Sequence, residues 1–444
     1  MKIAIIGYGS AGMTAASYAR IVNRQAEIIV FEKRPYAIYH PCSLPDVLSG
    51  ILPGWDAVVE EASKLPRFKL YTSTVVEEID PEEKKITARN LKTGEKIEQE
   101  YDKLILATGS RPYIPRVIKI EDAEGVYTLK VVEDGKEIDE AAKKYRKVIV
   151  VGGSFIGLEV AHALRVRGLD VTVVEYFNQL MPGKLDREFA KRVEDLLKSE
   201  GVNVILGKGV KEVNGPIGNK RVFLGDEELK ADFVIMCTGV RPDTKLATQM
   251  GIELGQTGGI KVNEYMRTSN PDVYAAGDNV EIRDIVTGKP ILSLLGSTAV
   301  RMGRVAGTNA AGGRLWFEGV VNVWVVNLGK LKFGGVGLTT ERAKKEGYEI
   351  VSATITAPAK LSVYPGAYEV SVQLVVDRFT RRILGAQVIG ERGVVERLNV
   401  LSTVIHRRMT IEDLAHLELA YTPSLCDVID PLHVAADAII RRLR

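Results

Sequence analysis

Residues 2–32 read K-I-A-I-I-G-Y-G-S-A-G-M-T-A-A-S-Y-A-R-I-V-N-R-Q-A-E-I-I-V-F-E. The apolar run at 2–6 has the pattern of a strand buried in a parallel sheet. Gly7, Gly9 and Gly12 then form G-x-G-x-x-G, and a helix is expected over 13–22. A second strand follows at 27–31 and ends at Glu32. Each part has a physical task. Gly7 makes the tight turn, Gly9 lets the backbone approach a pyrophosphate, and Gly12 lets the helix lie close to the strand. The free N–H groups at the helix start, around Ser10 and Ala11, face the phosphates, and Glu32, beside Lys33, accepts from a ribose hydroxyl. Three spaced glycines alone are weak evidence. Strand, turn, helix, strand and acid in register define a dinucleotide site and an α/β fold.

The same grammar returns further along. Residues 104–109 read L-I-L-A-T-G, a buried strand ending at Ala107, Thr108 and Gly109. At 148–151 another apolar strand leads into Gly152-Gly153-Ser154-Phe155-Ile156-Gly157. A helix is expected over 158–167 and a strand over 171–174, ending at Glu175. Ser154 replaces the middle glycine, which slightly compromises the backbone approach. Glu175 suits a free ribose hydroxyl and repels a 2′-phosphate, and Tyr176 and Phe177 occupy the places where a phosphate-binding Arg could stand. NAD(H) is therefore expected over NADP(H). Residues 231–239 form a buried strand ending at Gly239, with Cys237 inside the apolar run as a core residue. V-Y-A-A at 273–276 ends in Gly277 and Asp278, an Asp placed to bond the sugar-like chain of a flavin. A helix rich in small residues is expected over 297–311, capped by Ser or Thr, and its first residues are Ser297, Thr298 and Ala299. Its N-terminus suits the electron-rich end of a reduced flavin. Two fingerprints imply two different nucleotides, most economically one tightly held flavin dinucleotide and one exchangeable nicotinamide nucleotide whose rings meet for hydride transfer.

Residues 71–101 alternate short β-like runs with turns and read as a small meander. From about residue 322 the texture changes to short β-like runs, then helices at 394–407, 411–417 and 432–443. This α+β module has no fingerprint and suits subunit association. The expected domains are 1–110 with 240–320 (FAD), 111–239 (NAD(H)) and 321–444 (dimerisation).

The chain has 444 residues, 26% of them charged, and a net charge of +3, which gives no support for nucleic-acid or membrane binding. Three cysteines cannot build a disulfide framework. No run reaches membrane-spanning length, and the N-terminus has no signal-peptide pattern, so a cytoplasmic protein is expected. The histidines show no metal-ligand spacing, and no metal is expected. One cysteine asks for a chemical explanation. Residues 37–50 read A-I-Y-H-P-C-S-L-P-D-V-L-S-G, and Cys42 lies there, close after the first fingerprint and without a C-x-x-C partner. Alternation in an extended segment would place His40 on the same side as Cys42. Cys426, close to Tyr421, is a weaker candidate for a resolving thiol.

With these motifs in this order, the chain resembles the flavoprotein pyridine nucleotide–disulfide oxidoreductases over essentially its whole length. It looks most like the branch with one active cysteine: coenzyme A disulfide reductases, NAD-dependent persulfide or sulfur reductases, and NADH oxidases and peroxidases. The carrying stretches are G-Y-G-S-A-G, I-Y-H-P-C-S-L-P, L-A-T-G-S-R-P, V-G-G-S-F-I-G-L-E, M-C-T-G-V-R-P, V-Y-A-A-G-D, G-R-V-A-G-T-N-A-A-G and Y-T-P…D-P. The resemblance implies FAD at the first fingerprint and NAD(H) at the second, in two Rossmann-like domains, plus a C-terminal α+β dimerisation domain. It also implies a homodimer in which the partner's C-terminal module completes the site. Carried over, Cys42 is the redox cysteine, and Tyr364 and Tyr421 are tyrosines that approach the partner's cysteine. Phe155 is the aromatic gate over the flavin, Glu159 the acid near the nicotinamide, and Asp278 the flavin-binding Asp. The family's S-x-x-x-C-G-L-P-Y departs here at Ile38, Ser43 and Asp46. The peroxidase branch carries a His in the first glycine loop, where this chain has Ser10 and Ala11.

The expected activity is NADH-driven reduction of a small thiol-linked substrate: coenzyme A disulfide, coenzyme A persulfide or polysulfide. Coenzyme A is itself a candidate ligand. The alternative is an NADH oxidase in which Cys42 cycles through a sulfenic acid. A non-catalytic redox-sensing dimer is a third class, and it predicts slow turnover on every acceptor.

Overall fold

The computed structural model describes residues 1–60 and 68–444, and the chain divides into two compact units. The first is Met1–Tyr113, Lys130–Val132 and Gly239–Val320. The second is Ile114–Leu129, Glu133–Thr238 and Val321–Arg444.

The first unit is built on a parallel sheet in the order Val273–Ala275, Lys103–Leu106, Lys2–Ile6, Glu27–Phe31, Lys69–Tyr71. Its central strands are almost wholly buried, which is why they read as unbroken apolar runs rather than alternating ones. Truncating one of these residues, for example Ile5 to alanine, would cost ~2–5 kcal/mol. Helix Ser10–Val22 begins earlier than its apolar spacing predicts, because Ser10, Ala11 and Gly12 carry little hydrophobic signal. It packs on helix Gly296–Ala310, and small residues set the distance: a Cβ on Gly303 would lie 2.3 Å from Ala11 O, and one on Gly307 2.1 Å from Ala15 O. The expected hydroxyl cap of that second helix is not found. Its N-cap is Leu295, with no side-chain cap, and Ser297 and Thr298 lie inside the first turn. The expected meander is an antiparallel sheet of Thr74–Asp80, Lys85–Asn90 and Lys96–Glu100.

The second unit holds another parallel sheet, ordered Val126–Tyr127, Phe233–Met236, Lys147–Val151, Asp170–Glu175, Asn203–Leu206. It also holds an antiparallel sheet, ordered Trp324–Leu328, Leu331–Gly337, Ile383–Gly390, Glu369–Asp377, Ile350–Pro358. Helix Pro431–Leu443 covers the last two strands, and Val394–His406 covers Leu331–Gly337 and Ile383–Gly390. Within this unit Asp186 joins the two sheets. Its carboxylate accepts from Thr340 Oγ1 at 2.7 Å and Gln387 Nε2 at 2.8 Å. Its N–H donates to Gln387 Oε1 at 2.7 Å. Parallel α/β layers followed by an antiparallel C-terminal sheet are the architecture the sequence predicts. Among the described residues, no helix is long and apolar enough to cross a membrane.

Candidate functional site

The first glycine loop is shaped by contacts only glycine permits. Gly7 has φ 95°, and a Cβ there would lie 2.3 Å from Ala107 O; one on Gly12 would lie 2.0 Å from Gly7 O. Gly9 is different. A Cβ there would meet nothing within 4 Å, so this glycine faces open space. Gly9 is also the helix N-cap, offers no side-chain cap, and no acid sits in the first turn. The N–H groups and positive dipole end are thus left unanswered by the protein, which fits a pyrophosphate. Glu32 is buried and accepts from Tyr8 N at 2.8 Å. It also takes two bonds from the Arg34 guanidinium, Nε at 2.7 Å and Nη2 at 2.5 Å. Lys33 points to solvent and Arg34 inward, so the partner of Glu32 is the neighbour that its spacing in the sequence does not single out.

Around Asp278 the structure assembles a second polar group. Asp278 Oδ2 accepts from Ser110 Oγ at 2.7 Å and from Lys130 Nζ at 3.4 Å, while Lys130 also donates to Ser110 at 2.8 Å. Lys130 belongs to a three-residue excursion, Lys130–Val132, of a stretch otherwise assigned to the second unit. No local pattern could have signalled it. Asn279 is fully buried and donates to Leu106 O at 3.0 Å and Thr108 Oγ1 at 3.1 Å, and its Oδ1 has no partner among the described residues. Gly109 and Gly277 take positive φ, 71° and 105°. Thr298 and Ala299 are buried, Ser297 is exposed, and Thr298 Oγ1 accepts from Ser293 at 2.9 Å. An open glycine face, unanswered helix N–H groups and an orphaned buried carbonyl together fit FAD in this unit.

Cys42 is exposed, in the same unit. It lies in the 3-10 turn Pro41–Ser43, which runs into helix Leu44–Ser49. The turn corrects the expectation of an extended segment, so alternation does not place His40 beside Cys42. His40 Nε2 instead meets Glu60 Oε1 at 3.0 Å. Cys237 follows strand Phe233–Met236, and burial pushes its thiol up to about 12. Its carbonyl oxygen would lie 2.3 Å from a Cβ on Gly152. Cys426 is half-buried, accepts from Thr422 N at 3.4 Å and donates to Ala420 O at 3.4 Å.

In the second glycine loop Gly152 has φ 110°, and a Cβ on Gly157 would lie 2.0 Å from Gly152 O. Gly153 is less constrained: a Cβ there would lie 2.5 Å from Leu180 Cδ2, the movable end of a side chain. Ser154 has φ −112°, extended backbone open to any residue, which is why glycine is not required there. Helix Phe155–Val166 starts immediately, again without an acid in its first turn or a side-chain cap, and so fits a second pyrophosphate. Buried Glu175 accepts from Gly153 N at 2.7 Å and Phe177 N at 2.8 Å. Tyr176 and Phe177 are 68% and 54% exposed, edge to face. Ile156 is exposed and Glu159 half-buried. Gly239, φ 105°, lies in the first unit and accepts from Tyr113 N at 2.9 Å.

Tyr364 is half-buried, with Lys360 Nζ 6.0 Å from its ring centre, and Tyr421 is 48% exposed. Asp427 N donates to Ala359 O at 3.2 Å, tying together the segments that carry the two tyrosines. Buried Arg397 grips Asp430 with two bonds, 3.2 and 2.6 Å, and fixes the end of the 421–430 loop. On the same two segments Val363, Leu425, Val428 and Ile429 are 82%, 70%, 63% and 58% exposed.

Comparison with known proteins places this geometry. Residues 1–303 match the family described as pyridine nucleotide-disulphide oxidoreductase, and residues 325–432 match that family's dimerisation domain. The chain belongs to this family. It is 37% identical over 449 residues to the NADH oxidase of Methanocaldococcus jannaschii, covering 100% of this chain and 99% of that one. It is 34% identical over 440 residues to the NAD(P)H coenzyme A polysulfide/persulfide reductase of Pyrococcus horikoshii, covering 98% and 97%. The structure of an NAD-dependent persulfide reductase from A. fulgidus superimposes with a TM-score of 0.96 at 36% identity, covering 100% of this chain and 83% of that one. The protein is thus a flavoprotein NAD(P)H oxidoreductase of the group that contains sulfur and persulfide reductases and NADH oxidases. The family implies FAD and NAD(P)H, and its dimerisation domain implies a homodimer.

Proposed function

We propose that this protein reduces the sulfur–sulfur bond of coenzyme A disulfide, coenzyme A persulfide or polysulfide through Cys42, with NADH as the preferred electron donor. The observation that carries the reading is the state of the thiols. Cys42 is exposed in the unit with the first fingerprint, whereas Cys237 and Cys426 are both half-buried, and desolvation pushes the Cys237 thiol up to about 12. None of the three cysteines forms a C-x-x-C pair, so in this reading the disulfide made in turnover joins Cys42 to the substrate, with Cys426 the weaker candidate for a resolving thiol. The Cys42 thiolate attacks one sulfur of the acceptor, a Cys42–S–S–R bond forms, and the other half leaves as a thiolate.

FAD, when bound, would supply the two electrons, drawn from the nicotinamide, that return the mixed disulfide to thiolates. Gly9 and the first turn of helix Ser10–Val22 would hold its pyrophosphate, Glu32 its ribose, and Asp278 with Lys130 its polyol chain. Gly153, Glu159 and Glu175 would hold NAD(H), and Phe155 would be the aromatic gate that the family resemblance implies. In the homodimer Tyr364 and Tyr421 of one subunit would position or protonate the thiolate leaving the other subunit's Cys42. Coenzyme A would be the carrier of the acceptor sulfur.

The test is anaerobic NADH consumption by the purified protein, with coenzyme A disulfide, coenzyme A persulfide and polysulfide offered in turn. Turnover faster than in air alone, and reduced ~10³-fold or more in Cys42→Ser, is the expected result. Turnover with oxygen only would replace this reading with an NADH oxidase, the activity named for the M. jannaschii relative.

A further inference from the structure

Phe155 does not stand free at the head of its helix. Its ring meets the indole of Trp324 edge to face, 5.0 Å between centres at 82°. Trp324 opens strand Trp324–Leu328 of the antiparallel sheet and is 8% exposed. The indole meets Phe333 in turn, at 6.2 Å and 81°. The seat is made by a missing side chain. Gly335 is the register partner of Trp324 on the neighbouring strand, and a Cβ there would lie 3.0 Å from indole Cζ2. On the helix side, Lys184 Nζ stands 6.0 Å from the Phe155 ring centre. All of these residues belong to the second unit.

A half-exposed phenylalanine at a helix start has several staggered χ1 positions open to it. A buried aromatic partner at edge-to-face distance selects one of them. We infer that Trp324 is a positioning residue. It holds the Phe155 ring against the antiparallel sheet, keeps it from covering the second glycine loop, and so sets how readily the nicotinamide end of NAD(H) enters. The inference rests on NAD(H) binding at that loop. It goes beyond that reading in giving the first strand of the antiparallel sheet a part in nucleotide access. A nucleotide entering the loop packs beside the ring that the indole holds, so occupancy of the glycine loop changes the indole's surroundings through Phe155 and is registered in the dimerisation sheet.

The test uses the FAD-loaded dimer labelled with 5-fluorotryptophan. The chain has three tryptophans, Trp55, Trp316 and Trp324, so the fluorine spectrum is simple. The Trp324 resonance is assigned by its loss in Trp324→Phe. Titration with NAD⁺ is expected to move that resonance and leave the exposed Trp316 unmoved. By calorimetry, Trp324→Leu, which keeps bulk but not the aromatic edge, weakens NAD⁺ binding roughly three- to tenfold, with kcat unchanged at saturation. Trp324→Phe restores affinity to within about twofold. Should the leucine variant lose its fold, Gly335→Ala carries the test, because its methyl displaces the indole and is expected to weaken NAD⁺ binding and shift the resonance in the absence of nucleotide. An unmoved Trp324 resonance at saturating NAD⁺, or affinity unchanged in both the leucine and alanine variants, overturns the seat while leaving the nucleotide site standing. No calorimetric binding of NAD⁺ to wild type overturns the nucleotide reading, and the seat with it.

Discussion

Glu32 and Glu175 occupy the same place in two copies of one motif. Each ends or follows the second strand, and each accepts the N–H of the residue after the first glycine, Tyr8 at 2.8 Å and Gly153 at 2.7 Å. There the likeness stops. Glu32 is also clamped by the Arg34 guanidinium, whose carbon lies 4.3 Å from the ring centre of Tyr39, close ahead of Cys42. Glu175 spends its second oxygen on Phe177 N–H, and the two residues next to it in the chain are aromatic rings open to water. One acid is locked into the segment that leads to Cys42; the other borders a surface. If the first loop holds the resident nucleotide and the second the exchanging one, as proposed above, it is the residues after the acid, more than the glycines, that distinguish the two sites.

The contrast can be broken by mutation. Arg34→Met strands the buried Glu32 charge and is expected to cost ~3–5 kcal/mol. The protein should unfold at lower denaturant and purify with little flavin; full yellow colour and unchanged stability would show that the clamp is idle. Gly157→Ala is expected next. Its methyl would sit 2.0 Å from Gly152 O, and strain of ~1–3 kcal/mol raises the KM for NADH about ten- to a hundredfold with flavin retained. Gly12→Ala, equally close to Gly7 O, should do the reverse and cost flavin first. If both variants lose flavin alike, the two loops are not independent.

Alkali sharpens the comparison at the first loop alone. Tyr8, mainly through burial and then through the Glu60 charge, is pushed up to about 12, and Tyr101 reaches about 12 through burial and Asp272. Their neutral forms are favoured in the fold. The stability tied to them is therefore complete below their ordinary value of 10 and is lost as pH rises toward 12. Unfolding followed against pH should show an alkaline limb that Tyr8→Phe flattens. The smallest effect expected is at Ser154. Because its backbone is extended, Ser154→Gly should change stability by no more than ~0.5 kcal/mol and leave the KM for NADH nearly unchanged.

The sequence is legible where local spacing carries the information. Both glycine loops, their strands and terminal acids, the meander and the antiparallel module are readable from periodicity and turn residues. The helix start at Ser10 escapes such a reading because small residues give no periodic signal, and the hydroxyl cap at 297 fails because the chain turns into the helix at Leu295. Arg34 is hidden beside Lys33, since both are basic and only burial separates them. Lys130, the His40–Glu60 pair and the Trp324 seat join residues far apart in sequence, so no window of neighbours contains them.

The interleaving of the two units also bears on how the chain is made. Strand Lys103–Leu106 lies between Lys2–Ile6 and Val273–Ala275, and the last of these leaves the ribosome long after the other two. At ~5–20 residues per second, its edge waits on the order of ten seconds for its partner. During that time an apolar strand built for the middle of a sheet is an open template for pairing with another nascent chain. The first unit cannot close until the whole middle of the protein has been synthesised, so early expression failures should trace to that edge rather than to the finished fold.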